Sequence, residues 1–487
     1  MSSLRSPAIV RMNKTLAIRT ALLFALLLWP LFLFGRPSYI PDSVSYLKGG
    51  QVAVEFALSK VQASPTQGGK ITSSRTAVAA ASTPPGKEPT KAARSLTYSV
   101  TAWLLRWPKL DMTALGIFQA LASAFICIIV ATAMGVRKPI HFAILSVALA
   151  FATPLAVFAA NAEPDVFSGI AIACFALFFA VLNRLSLGIR ISLAMIVSFA
   201  IASHASNPPV ALGLMIVVAL WGVARRYWGK QFPVQELAWI GAPIVCGMVL
   251  VSVTSLIAFG DGSIGAKRFP LALARSVSDG PARWYLEKQC RTPVYAVCEV
   301  FGTDIPTTVS GFVFDKTGLN GRATSRQMDR IRAEESEIVV NAALAYPLTE
   351  VNNLMSHVLR QLIRFGFNET RFDSHIALDT TGTPQLVSTA QPYLVVLEVL
   401  EWASIFLVFP TLIGGIVFYK RFEPEHKLAL LLLVPAFIGN AVVVVVFSGV
   451  AERYESRMIW LLPLFVLSAF FSISGSRGSA QEGLNDK

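Results

Sequence analysis

The sequence predicts an all-α polytopic membrane protein with about ten transmembrane helices and one large extracytoplasmic loop region. Composition is the first reason: 54% of the 487 residues are hydrophobic and only 15% are charged. Mean hydropathy is +0.58, too apolar for a soluble globular chain. The second reason is a series of apolar runs, each near the roughly 20 residues needed to cross the hydrocarbon core. The third is the uneven placement of Lys and Arg between those runs.

The runs fall at 16–35, 112–134, 140–160, 166–183, 189–206, 209–224, 235–259, 394–419, 428–449 and 458–475. Arg5, Arg11 and Lys14 precede the first and Arg19 lies near its start, as in a secretory signal. That run exceeds a usual h-region, and Leu33-Phe34-Gly35 is a poor cleavage site, so a retained signal anchor is expected. An N-terminal transmembrane module then occupies 1–258, and its first outer loop spans 36–110. Within that loop, 59–93 is rich in Ser, Thr, Pro, Gly, Ala and Lys and reads as a flexible insertion. Order is expected to resume at Arg94, followed by an aromatic stretch through Trp103 and Trp107 suited to an interfacial helix.

Residues 259–393 form the extracytoplasmic loop region. Helices are expected at 325–345, stopping at Pro347, and at 350–365, stopping at Gly366. The second carries a stripe of Leu354, Val358, Leu359 and Leu362, expected to rest on the membrane or on the bundle. Residues 394–487 complete the chain as C-terminal transmembrane helices with a short cytoplasmic tail.

Basic residues set the expected orientation. They cluster at 135–139, 184–190, 225–234 and 420–427, whereas 161–165 and 204–208 contain none. Cytoplasmic loops favour Lys and Arg, so both termini are expected in the cytoplasm of a multi-pass inner (plasma) membrane protein. Arg453 and Arg457 depart from the trend. The net charge of +13 reflects topology and contact with anionic membrane lipid; no segment resembles a nucleic-acid module.

Cys127, Cys174 and Cys246 lie within spans and read as packing residues. Cys290 and Cys298 share the large loop, where an oxidising compartment would let them form a disulfide. No nearby histidine or second cysteine pair completes a zinc site there.

The groups able to do chemistry collect on the outer side. Asp42, in Tyr39-Ile40-Pro41-Asp42-Ser43-Val44-Ser45-Tyr46, follows the first span. It reads equally as the N-cap of a helix starting at Ser43 or as a solvated carboxylate facing a lipid head group. Glu163 and Asp165 flank Pro164, a pattern that also describes an ordinary helix start. His204 closes the fifth span, where a hydrogen-bonded structural role competes with that of a base. Arg453, Tyr454 and Arg457 open the tenth span. Two arginines one turn apart over a helix N-terminus suit an anion such as phosphate, or partners for Glu452 and Glu455. Few ionisable groups lie within the spans, unlike the usual ion-coupled transporter.

With an Asp beyond the first span, an acidic loop before the fourth, a large later loop and an Arg-Tyr element opening a late span, the chain resembles the GT-C-type integral-membrane glycosyltransferases. That resemblance covers mainly the first four spans. It departs from the family pattern where Ser43 follows Asp42, a position at which many members carry a second acid. Residues 274–299, with Arg275, Asp279, Cys290 and Cys298, together with 345–348 and 364–366, are similar to a group of uncharacterised proteobacterial polytopic proteins.

The GT-C resemblance implies transfer of a sugar from a polyprenyl-phosphate-type donor to an envelope glycan or lipid acceptor at the outer face of the inner membrane. Asp42 would then be the catalytic general base. Arg453 and Arg457 would bind the lipid phosphate across the sugar, with Tyr454 and His204 beside them. Glu163 and Asp165 would orient the sugar or join Asp42 around a divalent cation, Mg or Mn. The competing class is a non-enzymatic lipid or glycan flippase or an envelope-assembly protein, in which a hydrophilic cavity would run through the bundle.

Overall fold

The computed structural model describes residues 9–62, 94–107, 111–259, 262–264, 267–292, 294–370, 372–378, 380, 384–390 and 393–485. Most of the expected insertion, 63–93, lies outside the described residues, and the preceding helix Pro41–Gln62 runs past its expected start.

Among the described residues, eight helices are long and apolar enough to cross a membrane. They are Lys14–Phe34, Thr113–Ala133, Val166–Arg184, Asn207–Tyr227, Val234–Ala258, Leu394–Val417, Pro424–Phe447 and Arg453–Ile473. Pro139–Phe151 and Leu187–Ser203 are shorter apolar helices. The chain is an all-α polytopic membrane protein.

The expected single span at 140–160 is instead two helices, Pro139–Phe151 and Leu155–Ala160. Pro154 cannot supply the helical N–H. Thr153 bridges the break, its Oγ1 donating to the Leu149 carbonyl at 2.6 Å and accepting from Leu155 N at 3.3 Å. The first span is similarly divided at Leu28, ahead of Pro30. Small residues let some spans approach closely. A Cβ on Gly247 would lie 2.6 Å from Ile201, and one on Gly169 would lie 2.8 Å from the Arg457 carbonyl. Cys127 and Cys174 are buried as expected, whereas Cys246 is exposed on the bundle surface and is not a packing residue.

The two ends of the bundle differ. At one end, Val10 N donates to the Arg184 carbonyl at 2.7 Å, Arg184 pairs with Glu425, and Arg19 donates to the Arg137 carbonyl at 3.0 Å. Three of the basic segments, 135–139, 184–190 and 420–427, therefore gather beside the N-terminal segment. The opposite end carries Pro41–Gln62, Leu96–Leu104 and the large loop region, and is called the loop end below.

The loop region has its own hydrophobic core, containing Leu273, Val277, Leu286, Phe312, Met328, Ile331 and Ile338. Its principal helix, Ser325–Ala345, is fixed by a capping box between Thr324 and Gln327. The next helix begins earlier than expected, at Pro347, and ends at Ile363, because proline suits the first helical turn. An antiparallel hairpin, Phe372–Leu378 with Pro384–Ala390, follows. This strand pair was not anticipated; its Ile376 and Leu386 pack on the bundle core.

Cys290 and Cys298 are bonded, with Cα atoms 5.1 Å apart. Replacing both by Ser is expected to cost about 2–3 kcal/mol, the chain-entropy value for so short a closed loop. Limited proteolysis should then cut the Pro281–Phe301 region faster than in the oxidised wild type. Equal cleavage rates would show that the bridge adds nothing.

Candidate functional site

Two backbone contacts assemble the loop-end site. Ser38 and Asn161 form a parallel bridge, with Ala162 N donating to the Ser38 carbonyl at 2.9 Å. That places Asp42 beside Glu163-Pro164-Asp165. Helix Pro41–Gln62 also lies against Leu96–Leu104 so closely that a Cβ on Gly50 would fall 2.0 Å from the Ser99 carbonyl oxygen. Only glycine permits this approach, which delivers Arg94 to Asp42. The flanking tyrosines Tyr39 and Tyr46 are buried, and Tyr46 packs edge-on against Tyr98 with ring centres 4.9 Å apart.

Asp42 is not a helix cap. The helix starts at Pro41, so Asp42 lies within its first turn, and it is Ser43 Oγ that reaches back to accept from Ile40 N at 3.0 Å. The Asp42 carboxylate instead pairs with Arg94 and lies 3.7 Å from an Arg453 amino group. The Asp42 side chain is 21% exposed and that of Arg453 19%, so this triad opens to the surface.

A second group lies deeper. Arg457 is 0% exposed and donates to Asp165 Oδ1 at 2.8 Å. It also donates to Asn440 Oδ1 at 2.7 Å and Ser206 Oγ at 3.0 Å. His204 Nε2 is 3.6 Å from Asp165, and its Nδ1 meets Ser206 Oγ at 2.8 Å. Burial alone would raise the Asp165 pKa, but the Arg453 and Arg457 guanidiniums hold it below the usual value. Burial, reinforced by Arg457, pushes His204 down to about 3, so its ring is neutral at physiological pH. Glu163 behaves oppositely. Burial, then the Asp42 charge, raises its pKa well above the ordinary carboxyl value, while Ser43 Oγ donates to its Oε1 at 2.8 Å.

Tyr454 separates the two arginines. Its ring centre is 5.0 Å from the Arg453 guanidinium carbon and 5.2 Å from that of Arg457. Its hydroxyl bonds to Ser448 Oγ at 2.6 Å, which orients the ring as a spacer. Arg457 bonds Asp165 directly, whereas Arg453 lies against Asp42 and reaches Asp165 only through its charge. They do not neutralise Glu452 and Glu455: Glu452 accepts from Asn368, and Glu455 from Asn440 at 3.3 Å.

The expected arrangement needs two corrections. Arg453 sits beside Asp42, and Arg457 is closed onto Asp165, so the pair does not face Asp42 across an open sugar site. Nor do Asp42, Glu163 and Asp165 form a cation site. Among the described residues no group of three or more His, Cys, Asp or Glu could hold a metal ion. Arg94 is paired with Asp42 Oδ1 and Arg457 with Asp165 Oδ1, carboxylate oxygens that a divalent cation would need.

No family model and no curated protein matches this chain.

Several of its residues were not anticipated. Asn440 was detectable, as a lone polar side chain within a long apolar run. Arg94 stood at the edge of a low-complexity stretch and looked like a boundary. Ser206 and Ser43 carried no signal of their own. The loop region supplies one wall: Gly366 N donates to Ser456 Oγ at 2.8 Å, and that hydroxyl donates back to the Gly366 carbonyl at 2.9 Å. Phe367 is buried behind this clasp, its ring centre 6.5 Å from that of Phe158.

Proposed function

We propose that the chain is a membrane glycosyltransferase that moves a sugar from a polyprenyl-phosphate-type donor to an envelope glycan or lipid acceptor. The observation that carries this reading is the partly exposed Arg94–Asp42–Arg453 triad at the loop end. Two guanidiniums share one carboxylate, and the nearby Glu163 is biased towards its neutral form. The surplus positive charge suits a phosphate at the membrane surface.

In the proposed reaction, the acceptor hydroxyl oxygen attacks the anomeric carbon and Asp42 takes its proton. The bond from the anomeric carbon to the phosphate oxygen breaks, and polyprenyl phosphate departs with its charge stabilised by Arg94 and Arg453. Asp165, Arg457, His204 and Asn440 hold the helix that presents Arg453. This revises the earlier expectation by moving the anion-binding role from Arg457 to Arg94.

Native mass spectrometry with polyprenyl phosphate tests the reading. Wild type should retain the lipid, and Arg94→Ala and Arg453→Ala should each weaken retention. Equal retention by all three would overturn the phosphate assignment.

The site would face outward from the bacterial inner membrane, with both termini cytoplasmic. The gathering of basic segments beside the N-terminal segment supports this orientation. Single-cysteine labelling at Arg225 and Lys420 should place both on the cytoplasmic side. Opposite sides would refute the topology.

A further inference from the structure

We infer that the Pro347–Ile363 helix lies in the membrane surface at the loop end, with one face immersed in lipid acyl chains. This goes beyond the catalytic reading and does not depend on it.

The helix is amphipathic in the inverted sense. Glu350, Asn353, His357 and Gln361 face the protein, whereas Asn352, Ser356 and Arg360 are exposed. Glu350 accepts from Ser276 Oγ at 2.6 Å, Asn353 donates to the Asp279 carbonyl at 3.2 Å, and His357 lies 3.5 Å from Asp279. Gln361, 0% exposed, exchanges two 3.0 Å hydrogen bonds with the Ala451 backbone. Leu348, Val351, Met355, Leu359 and Ile363 recur at helical spacing on the opposite face. All five are exposed, Leu348 at 85% and Ile363 at 80%. A helix in water turns its apolar stripe inward. Inverting that order leaves a mainly apolar face outward along about 25 Å of helix, interrupted by Asn352 and bordered by Ser356, and larger than scattered surface hydrophobics account for.

The structure also fixes the depth of this face. Val358 and Leu362 pack against Ala441, Val442 and Val445, in the last two turns of the Pro424–Phe447 span. The helix therefore sits at the end of a membrane-crossing segment whose Phe447 is itself exposed. Its apolar face continues the lipid-facing surface of the bundle. Burial of about 5–10 Å into the headgroup–acyl boundary is typical of such helices. Arg360 and Arg364, both exposed, follow near its end, where long basic side chains can reach headgroups.

The test uses nitroxide labels on the full-length protein in lipid nanodiscs. Cys246→Ser removes the exposed free thiol, and the disulfide is kept. Labels are placed singly at L348C, M355C and I363C. S336C on the exposed surface of Ser325–Ala345 provides the water reference, and F406C on the Leu394–Val417 span the lipid reference. Power saturation with oxygen and with a water-soluble nickel complex should give the three helix sites oxygen-to-nickel ratios several-fold above that of S336C and close to that of F406C. Ratios matching S336C would overturn the inference in favour of a water-exposed face. Low access to both relaxants, with dipolar coupling between labels on separate chains, would overturn it in favour of a second copy covering the stripe.

Discussion

Arg457→Ala is expected to destabilise the protein by about 3–5 kcal/mol, the usual cost of removing one member of a buried ion pair. The Arg457 side chain is 0% exposed and that of its partner Asp165 3%. Truncation would strand the Asp165 carboxylate and also remove the donors to Asn440 and Ser206. The damage should spread because the same helix carries Arg453 and because Trp460 Nε1 donates to the Arg457 carbonyl at 2.8 Å. Melting of the detergent-solubilised protein measures the loss. Combining Arg457→Met with Asp165→Asn removes both charges while preserving volume, and should recover much of it. Wild-type melting of the single variant would show that the pair contributes nothing to folding.

Asp42→Asn should lower sugar transfer by about 100- to 10,000-fold, the range associated with loss of a general base, while the protein still accumulates in the membrane. Asparagine keeps the shape and an acceptor oxygen for Arg94 and Arg453 but cannot take the acceptor proton. The measurement is transfer from a polyprenyl-phosphate-linked donor in membranes lacking the wild-type chain. Retention of polyprenyl phosphate serves as a folding control. Wild-type transfer would reduce Asp42 to a structural partner of its two arginines.

The spans were legible because bilayer thickness imposes a length and a polarity that individual apolar runs display. Helix breaks were less legible: hydropathy averages over Thr153-Pro154, although proline chemistry ends the helix there. At the site, the sequence indicated which loops carry ionisable groups but not how they pair. Asp42 meets Arg94 across 52 positions, and Asp165 meets Arg457 across 292. Such pairings depend on which spans are neighbours, a property that periodicity within one helix does not encode. Hence two arginines sharing a helix looked interchangeable, although Tyr454 and the packing around Asn440 assign them different partners. The inverted helix was half legible. The stripe read there divides, Val358 and Leu362 packing on the bundle while Leu359 faces outward with Leu348, Val351, Met355 and Ile363, a division visible only once Asp279 and Ala451 were seen against the polar side.

The close approach at Gly50 also has a consequence for how the protein can vary. Gln62 ends one helix of a packed pair and Arg94 leads into the other, so each is anchored independently of the residues that join them. For a flexible connection in general, closure becomes harder only slowly with length, by about 0.6 kcal/mol for each doubling. Insertions and deletions there should therefore drift almost neutrally, leaving the distance between Asp42 and Arg94 unchanged. The glycine acts as an insulator, separating a segment open to evolutionary change from one held in fixed register.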